Sequence, residues 1–318
     1  MTIQETLRPF VVDKPHPLLE ARTIQLVLLR EILDYTVLRT EETRELNVVT
    51  TPLSVTNPAN ERRVAFLATK QKSAESRMLE QMLRTANRAF ERAVSECYLK
   101  DGLCLECPRC GLFGGTNVES GSDKIGNIRH RIEYGTAFSL MPFKDIGSAT
   151  TFNAIDDVTQ KTGQALGTRY AVLPASLFPS IVTLRSVTWR EFVLVIKTLL
   201  ACKSYGAESR IGGDARNTIV GIAAGWEEVL TPLELTLELY ARSMETGTPP
   251  DARMVQGILS DYTAYVGNPR EVTVFEPNQV AQLVDEAAKT ELNEEFLRIT
   301  YSDVADYRKV QKEGIKRK

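Results

Sequence analysis

Four of the five cysteines in the chain fall in one stretch, Cys97, Cys104, Cys107 and Cys110, spaced C-x6-C-x2-C-x2-C. No other feature restricts the fold as much, because four thiols converge only if the chain turns back on itself. A C-x-x-C gap lets two sulfurs face one ion, and tetrahedral zinc takes four such ligands at about 2.3 Å. Pro108 and Gly111 favour the turns this needs. The pattern predicts a structural zinc site with these four cysteines as ligands. Disulfides, free thiols and an iron–sulfur cluster draw on the same residues. A catalytic zinc favours histidine or carboxylate ligands and an open position.

Charge restricts the function. The 318 residues carry 39 basic and 41 acidic side chains, a formal net charge of −2. That balance gives no global support for nucleic-acid binding, which must then come from local patches. His16 and His130 are the only histidines. Chemistry built on a Ser-His-Asp set, a His-liganded metal or a His acid–base pair has almost nothing to use. No apolar run approaches a membrane span, and Met1 to Pro17 lacks the apolar core of a signal peptide. The expected location is the cytoplasm, with no membrane partner.

Along the chain, Thr23 to Arg30 reads as a core strand and Tyr35 to Thr40 as a second, partly exposed one. Asn47 to Asn60 reads as loop and Arg62 to Thr69 as strand. Ser73 reads as the N-cap of an amphipathic helix reaching Val94. Ile128 to Leu140 and Phe178 to Arg185 read as strands. Between them, Phe143 to Ser176 lacks a clear period and is long for a connection, which predicts a functional insertion. Thr188 and Glu191 form a capping box for a helix to about Ala201, and Thr218 to Ala224 is the next strand. A second capping box, Thr231 with Glu234, opens a helical last third whose tail from Arg308 is expected to fray.

From residue 23 to 224 the principal elements run strand, helix, strand, strand, helix, strand. The expected class is α+β: a ferredoxin-like βαββαβ, RRM-like palm, carrying a four-cysteine zinc insertion and a second insertion, with a helical C-terminal region. The boundaries expected are 1–240 for the palm (cysteine loop 97–126, second insertion 143–176) and 241–318 for the helical region. Sheets of this kind also form a platform for single-stranded RNA.

Several basic residues suit such a role. In the loop from Tyr205 to Asn217, Gly206, Gly212 and Gly213 allow close backbone approach. Arg210, Arg216 and Asn217 there supply charge and hydrogen-bonding groups for a phosphodiester. A plain glycine-rich turn with surface arginines has the same composition. No Gly-Lys-Ser/Thr follows, so it is not a Walker loop. Arg129 and Arg131, two apart on a strand, would share one face. Arg30, Arg39, Lys70 and Lys72 would complete a basic groove. Tyr134, Phe138, Phe152 and Tyr170 are aromatics able to stack on bases. Asp156 and Asp157 are adjacent and would point apart on a strand, while Asp34, Asp123 and Asp214 are isolated. No local carboxylate pair for Mg²⁺ emerges.

Together, Leu177 to Arg185, the Tyr205 to Asn217 loop, the cysteine cluster, Thr151 to Asn153 and Tyr134 to Ser139 resemble one family. It is the backbone subunit of type I-D CRISPR effector complexes, a large Cascade-type subunit of the RAMP superfamily. The similarity covers about Arg22 to Tyr240. It implies an RRM-like palm that polymerises along CRISPR RNA into an antiviral ribonucleoprotein filament. Its partners would be CRISPR RNA, target DNA, further copies of itself and other Cas subunits. By the resemblance, 143–176 is a thumb hairpin that includes Phe152, Asn153 and Tyr170. The Arg210 to Asn217 loop and Lys70/Lys72 would touch the guide backbone, and Cys97, Cys104, Cys107 and Cys110 would hold zinc. The expected subunit is non-catalytic. The alternatives are a metal-dependent nuclease using an acidic residue such as Asp34, and a zinc-stabilised protein-interaction module.

Overall fold

The structure is a computed structural model describing residues 3–39, 45–99, 102–117, 126–206 and 212–316; the side chains of 3, 150–154, 163–169 and 315–316 are outside the description. Helix α1 (Ile3–Leu7) precedes the long strand β1 (Thr23–Ile32). Strands β2 (Val48–Pro52) and β3 (Asn60–Phe66) form a hairpin leading into α2 (Ala68–Ala89). The cysteine segment contains α3 (Pro108–Phe113), followed by the short strands β4 (Gly115–Thr116), β5 (Asn127–Ile128), β6 (Ile132–Tyr134) and β7 (Ala137–Phe138). Helix α4 (Phe143–Ile146) opens a hairpin of β8 (Gly147–Ile155) and β9 (Thr162–Val172). Then come β10 (Leu177–Arg185), α5 (Trp189–Ala201) and β11 (Ala215–Gly225). The remainder is α6 (Pro232–Thr246), α7 (Ala252–Tyr262), β12 (Thr273–Val274), α8 (Pro277–Lys289) and α9 (Glu294–Lys316).

The main sheet has the order β12-β11-β1-β10-β6, antiparallel throughout. Four of its strands, β1, β6, β10 and β11, are separated in the chain by further elements, among them α2 after β1 and α5 between β10 and β11. Strand β1 sits at the centre because its apolar residues fill both faces. Ile24, Leu26 and Leu28 meet α2 and α5 through Leu79, Leu83, Phe192 and Ile196. Val27 and Leu29 meet α6 and α7 through Leu235, Leu239, Val255 and Leu259. Gly221 permits the close approach of α7, since a Cβ there would lie 2.7 Å from Val255. Both faces of the sheet are therefore covered. The open platform expected for stacking RNA bases is not available on this sheet.

Both capping boxes form as read. The Thr188 and Thr231 hydroxyls accept from the amides of Glu191 and Glu234, and both carboxylates close back on the caps. Other expectations need correction. Helix α2 begins at Ala68, five residues before Ser73, with Leu67 as an uncapped N-cap. Of the strand expected from Tyr35 to Thr40, residues 35–39 are not strand and Thr40 lies outside the described residues; Thr36 makes one isolated bridge to Val172. The Asn47–Asn60 loop contains β2, which pairs with β3 from Val48 to Pro52. Ile128 to Leu140 is broken into β5, β6 and β7, each paired in a different sheet. The tail is helical to Lys316. A division at residue 240 falls inside α6.

Candidate nucleic-acid interface and metal centre

The four cysteine sulfurs lie within 4.8 Å of one another. Cys97 and Cys110 Sγ are 3.6 Å apart, and all four are free thiols. Ligands at about 2.3 Å in a tetrahedron sit roughly 3.8 Å apart, so this donor set fits one metal ion. Leu105 adopts φ +58° in the turn between Cys104 and Cys107. The amides of Glu106 and Cys110 donate to Cys104 Sγ and Cys107 Sγ, each at 3.4 Å. Such N–H donors stabilise thiolates and orient them toward a shared ion. Hydrogen bonds from Cys104, Cys107 and Cys97, together with the Arg109 guanidinium, hold the Cys110 thiol far below the usual range. Hydrogen bonding with Cys104 pushes Cys97 and Cys107 up.

The cluster joins distant parts of the chain. Arg84 of α2 donates to Cys97 O at 3.0 Å, and Arg109 donates to Ser76 Oγ of α2 at 2.8 Å. Val304 and Tyr307 of α9 pack against Cys97, Cys107 and Cys110. Gly111 faces α9 so closely that a Cβ would meet Val304 at 2.9 Å. Among the described residues, no other group of three or more His, Cys, Asp and Glu side chains has metal-ligating geometry.

The basic residues singled out in the sequence divide into buried and exposed sets. Arg30, Arg131 and Asn217 are buried, which corrects their reading as RNA contacts. Arg30 lies under α2 and pairs with Glu75 Oε1 at 2.7 Å. It also donates to Ser180 Oγ at 3.1 Å, Tyr205 Oη at 3.1 Å and Asn217 Oδ1 at 2.9 Å. Tyr134 and Tyr205 donate to Glu75 at 2.5 and 2.8 Å. Burial disfavours the Arg30 charge, but Glu75 outweighs it and raises the guanidinium above its ordinary range. Arg131 binds Glu191 through both terminal nitrogens and donates to Gly111 O at 3.1 Å. The Arg129–Arg131 segment is not strand, so the two do not share a face: Arg129 is exposed and Arg131 is internal.

The exposed set gathers mainly at the end of the sheet where β1 finishes. Ile32, Ala74, Val172, Tyr205 and Ala215 form an apolar cluster there, with Tyr170 packed at its edge. Arg39 and Lys70 are half-buried around it. Gly212 and Arg216 are exposed, and Arg216 pairs with Glu31. Gly213 is buried at φ +62°, where a Cβ would lie 2.4 Å from the Gly206 amide nitrogen. Arg210 lies outside the described residues. Phe152 and Asn153 stand in β8, their side chains outside the description. Lys72 and Arg129 lie instead near β6; burial and Arg109 lower the Lys72 ammonium below its ordinary pKa.

Sequence reading passed over Arg62. It is exposed, its guanidinium sits 5.4 Å from the Phe143 ring centre, and with Tyr170 they line a cavity of about 190 Å³. The signal was Arg62's place beside Arg63 at the start of a strand, with one arginine facing in and one out. Asp34, weighed as a catalytic acid, is exposed and accepts the Tyr35 amide at 2.7 Å.

Fold and site together define an α+β protein with an antiparallel sheet covered on both faces, a four-thiol cluster able to hold a metal, and a hairpin beside a basic sheet end. The family model described as Csc2 Crispr matches residues 10–315. The chain belongs to that family. A crystal structure of Thermofilum pendens Csc2 is similar with a TM-score of 0.57 and 22% identity, covering 91% of this chain and 96% of that one. A chain of a CRISPR RNA-guided surveillance complex has a TM-score of 0.48 and 11% identity, covering 83% of this chain and 98% of that one. No curated protein matches the chain in sequence. No helix among the described residues is long and apolar enough to cross a membrane.

Proposed function

We infer that this chain is a non-catalytic CRISPR RNA-binding backbone subunit of a type I-D Cascade-like complex, acting in the cytoplasm. The observation that carries this reading is the family match over residues 10–315. Copies of the chain polymerise along the guide RNA, beside other Cas subunits, and present it for pairing with target DNA. The strands β11, β1, β10 and β6 supply a ferredoxin-like, RRM-like palm in the spatial order fourth, first, third, second.

Because the palm's faces are covered, the guide runs across the sheet end and not over the sheet. Arg39, Lys70, Arg62 and Arg216 face the phosphates there, with the exposed backbone at Gly212 alongside; Arg210, outside the described residues, is expected to contribute by its place in the same loop. The β8–β9 hairpin is the thumb; Ile155 and Val158 at its tip are exposed apolar side chains suited to contact a neighbouring copy. Zinc, when bound, cross-links the four thiolates and gives structural support only.

Expression together with a CRISPR array tests this reading. The purified protein should carry protected guide RNA, seen as a raised nucleic-acid absorbance ratio and identified by sequencing. Binding should weaken steeply with salt. Nucleic-acid-free monomers that never bind RNA at low salt would overturn the proposal. Mg²⁺-dependent cutting of target strands, abolished by Asp34→Ala, would overturn its non-catalytic part.

A further inference from the structure

A groove of about 530 Å³ runs between α9 and the segment that follows α2, on the outer side of the cysteine cluster. Arg92 lines it from the segment after α2, Arg298, Tyr301, Arg308 and Lys312 line it from α9, and Glu106 of the cysteine segment lines it too. Two acidic side chains of α9 are paired outside the groove lining: Asp303 is taken by Arg190 at 3.0 Å and Asp306 by Lys14 at 2.9 Å. Arg298 and Lys312 are exposed and form no ion pair among the described residues.

The cations are also held in place. Arg92 donates to Asn87 Oδ1 at 3.2 Å and lies 5.8 Å from the Tyr301 ring centre. Arg308 donates to Asn127 O and Gln311 Oε1, each at 2.7 Å. Glu106 receives the Ser95 hydroxyl at 3.2 Å. From Arg298 to Lys312 the helix rises about 21 Å, at about 1.5 Å per residue.

We propose that this groove binds the phosphodiester backbone of a single-stranded nucleic acid, as a track separate from the sheet end. A stacked strand places a phosphate about every 3.4 Å, so the row of cations spans several of them. Apart from Tyr301 and Val94, the uncharged side chains that line it are small, Ala93 and Ala305 among them, and offer few contacts for the large apolar anchors of an acidic helix. A flexible, evenly charged polymer fits this lining. The inference does not depend on the guide-RNA reading, since no residue is shared between the two surfaces.

The test is fluorescence anisotropy of a labelled single-stranded oligonucleotide, over a salt series, with the full chain. The variants are R298E/K312E in the groove and K70E/R216E at the sheet end, with R298Q/K312Q as a milder groove variant. Metal content and melting temperature check that each is folded. Loss of two phosphate contacts should flatten the slope of log K against log salt by about 1.4, at about 0.7 per contact. Both groove variants should show this, and K70E/R216E should keep the groove's share. A slope and affinity equal to those of the unaltered chain in both groove variants would overturn the proposal. Loss of a co-purifying acidic protein from the groove variants, with strand binding intact, would also overturn it. If only the groove variants lose binding, the groove stands and the sheet-end reading fails.

Discussion

Glu191 closes the capping box of α5 and, with the same carboxylate, binds both terminal nitrogens of Arg131. Arg131 also reaches Gly111 O, so one buried ion pair links the cysteine segment to the start of a core helix. Arg131→Ala leaves Glu191 buried without its partner and is expected to cost about 3–5 kcal/mol. Arg131→Lys keeps the charge and loses the fork, so its loss should be smaller. Urea unfolding midpoints of the two variants check this; equal midpoints for Arg131→Ala and the unaltered chain would refute it.

Arg30 and Glu75 should behave as a unit. Arg30→Met strands the Glu75 carboxylate and should cost about 3–5 kcal/mol, whereas Arg30→Met with Glu75→Leu should recover much of it. A double-mutant cycle measures the coupling. RNA affinity of the folded Arg30→Met fraction should be unchanged; a fall in affinity with unchanged stability would return Arg30 to the binding surface.

The cysteine cluster should hold about one divalent metal ion per chain. Elemental analysis of Cys107→Ser should find it lost, and the melting temperature should fall. A chelator should lower the melting temperature of the unaltered chain in the same way. Acid should release the ion, because thiolates bind it and thiols do not. Normal metal content and melting in Cys107→Ser would remove the site.

Alkali should unfold the protein. Burial raises the Tyr134, Tyr205 and Tyr301 hydroxyls above their ordinary pKa, and pushes the Cys202 thiol up to about 11. In the unfolded chain tyrosine ionises near 10 and cysteine near 8.5. The folded state therefore holds these protons more tightly. Its stability is intact below the unfolded values and is lost progressively as pH rises from them through the higher folded values. Urea midpoints should fall from about pH 8.5 upward, and the tyrosinate absorbance of the buried rings should appear only with unfolding. A constant midpoint would contradict this.

Local chemistry carried much of the fold into the sequence. Thr188, Glu191, Thr231, Pro232 and Glu234 mark two helix starts because a capping box needs only residues three apart. The thiol cluster was legible for the same reason. Burial of charge was not. Arg30 and Arg131 look like surface cations until Glu75 and Glu191 arrive from elsewhere in the chain. Leu67, where α2 starts, carries no capping side chain, so Ser73 offered the stronger local signal in the wrong place. Val48 to Pro52 is half polar with a terminal proline, and only its pairing with β3 makes it a strand. The covering of the sheet by α6 and α7 is a contact between distant segments that no local period encodes.

The cysteine cluster is walled on one side by α9, through Val304 and Tyr307. All four cysteines leave the ribosome long before that helix exists, since domains are synthesised from the N-terminus. Until α9 is translated, the thiols lack that cover. Synthesis of α9 is therefore the event that seals this face of the cluster, and a product truncated before it would leave the thiols open to oxidation there.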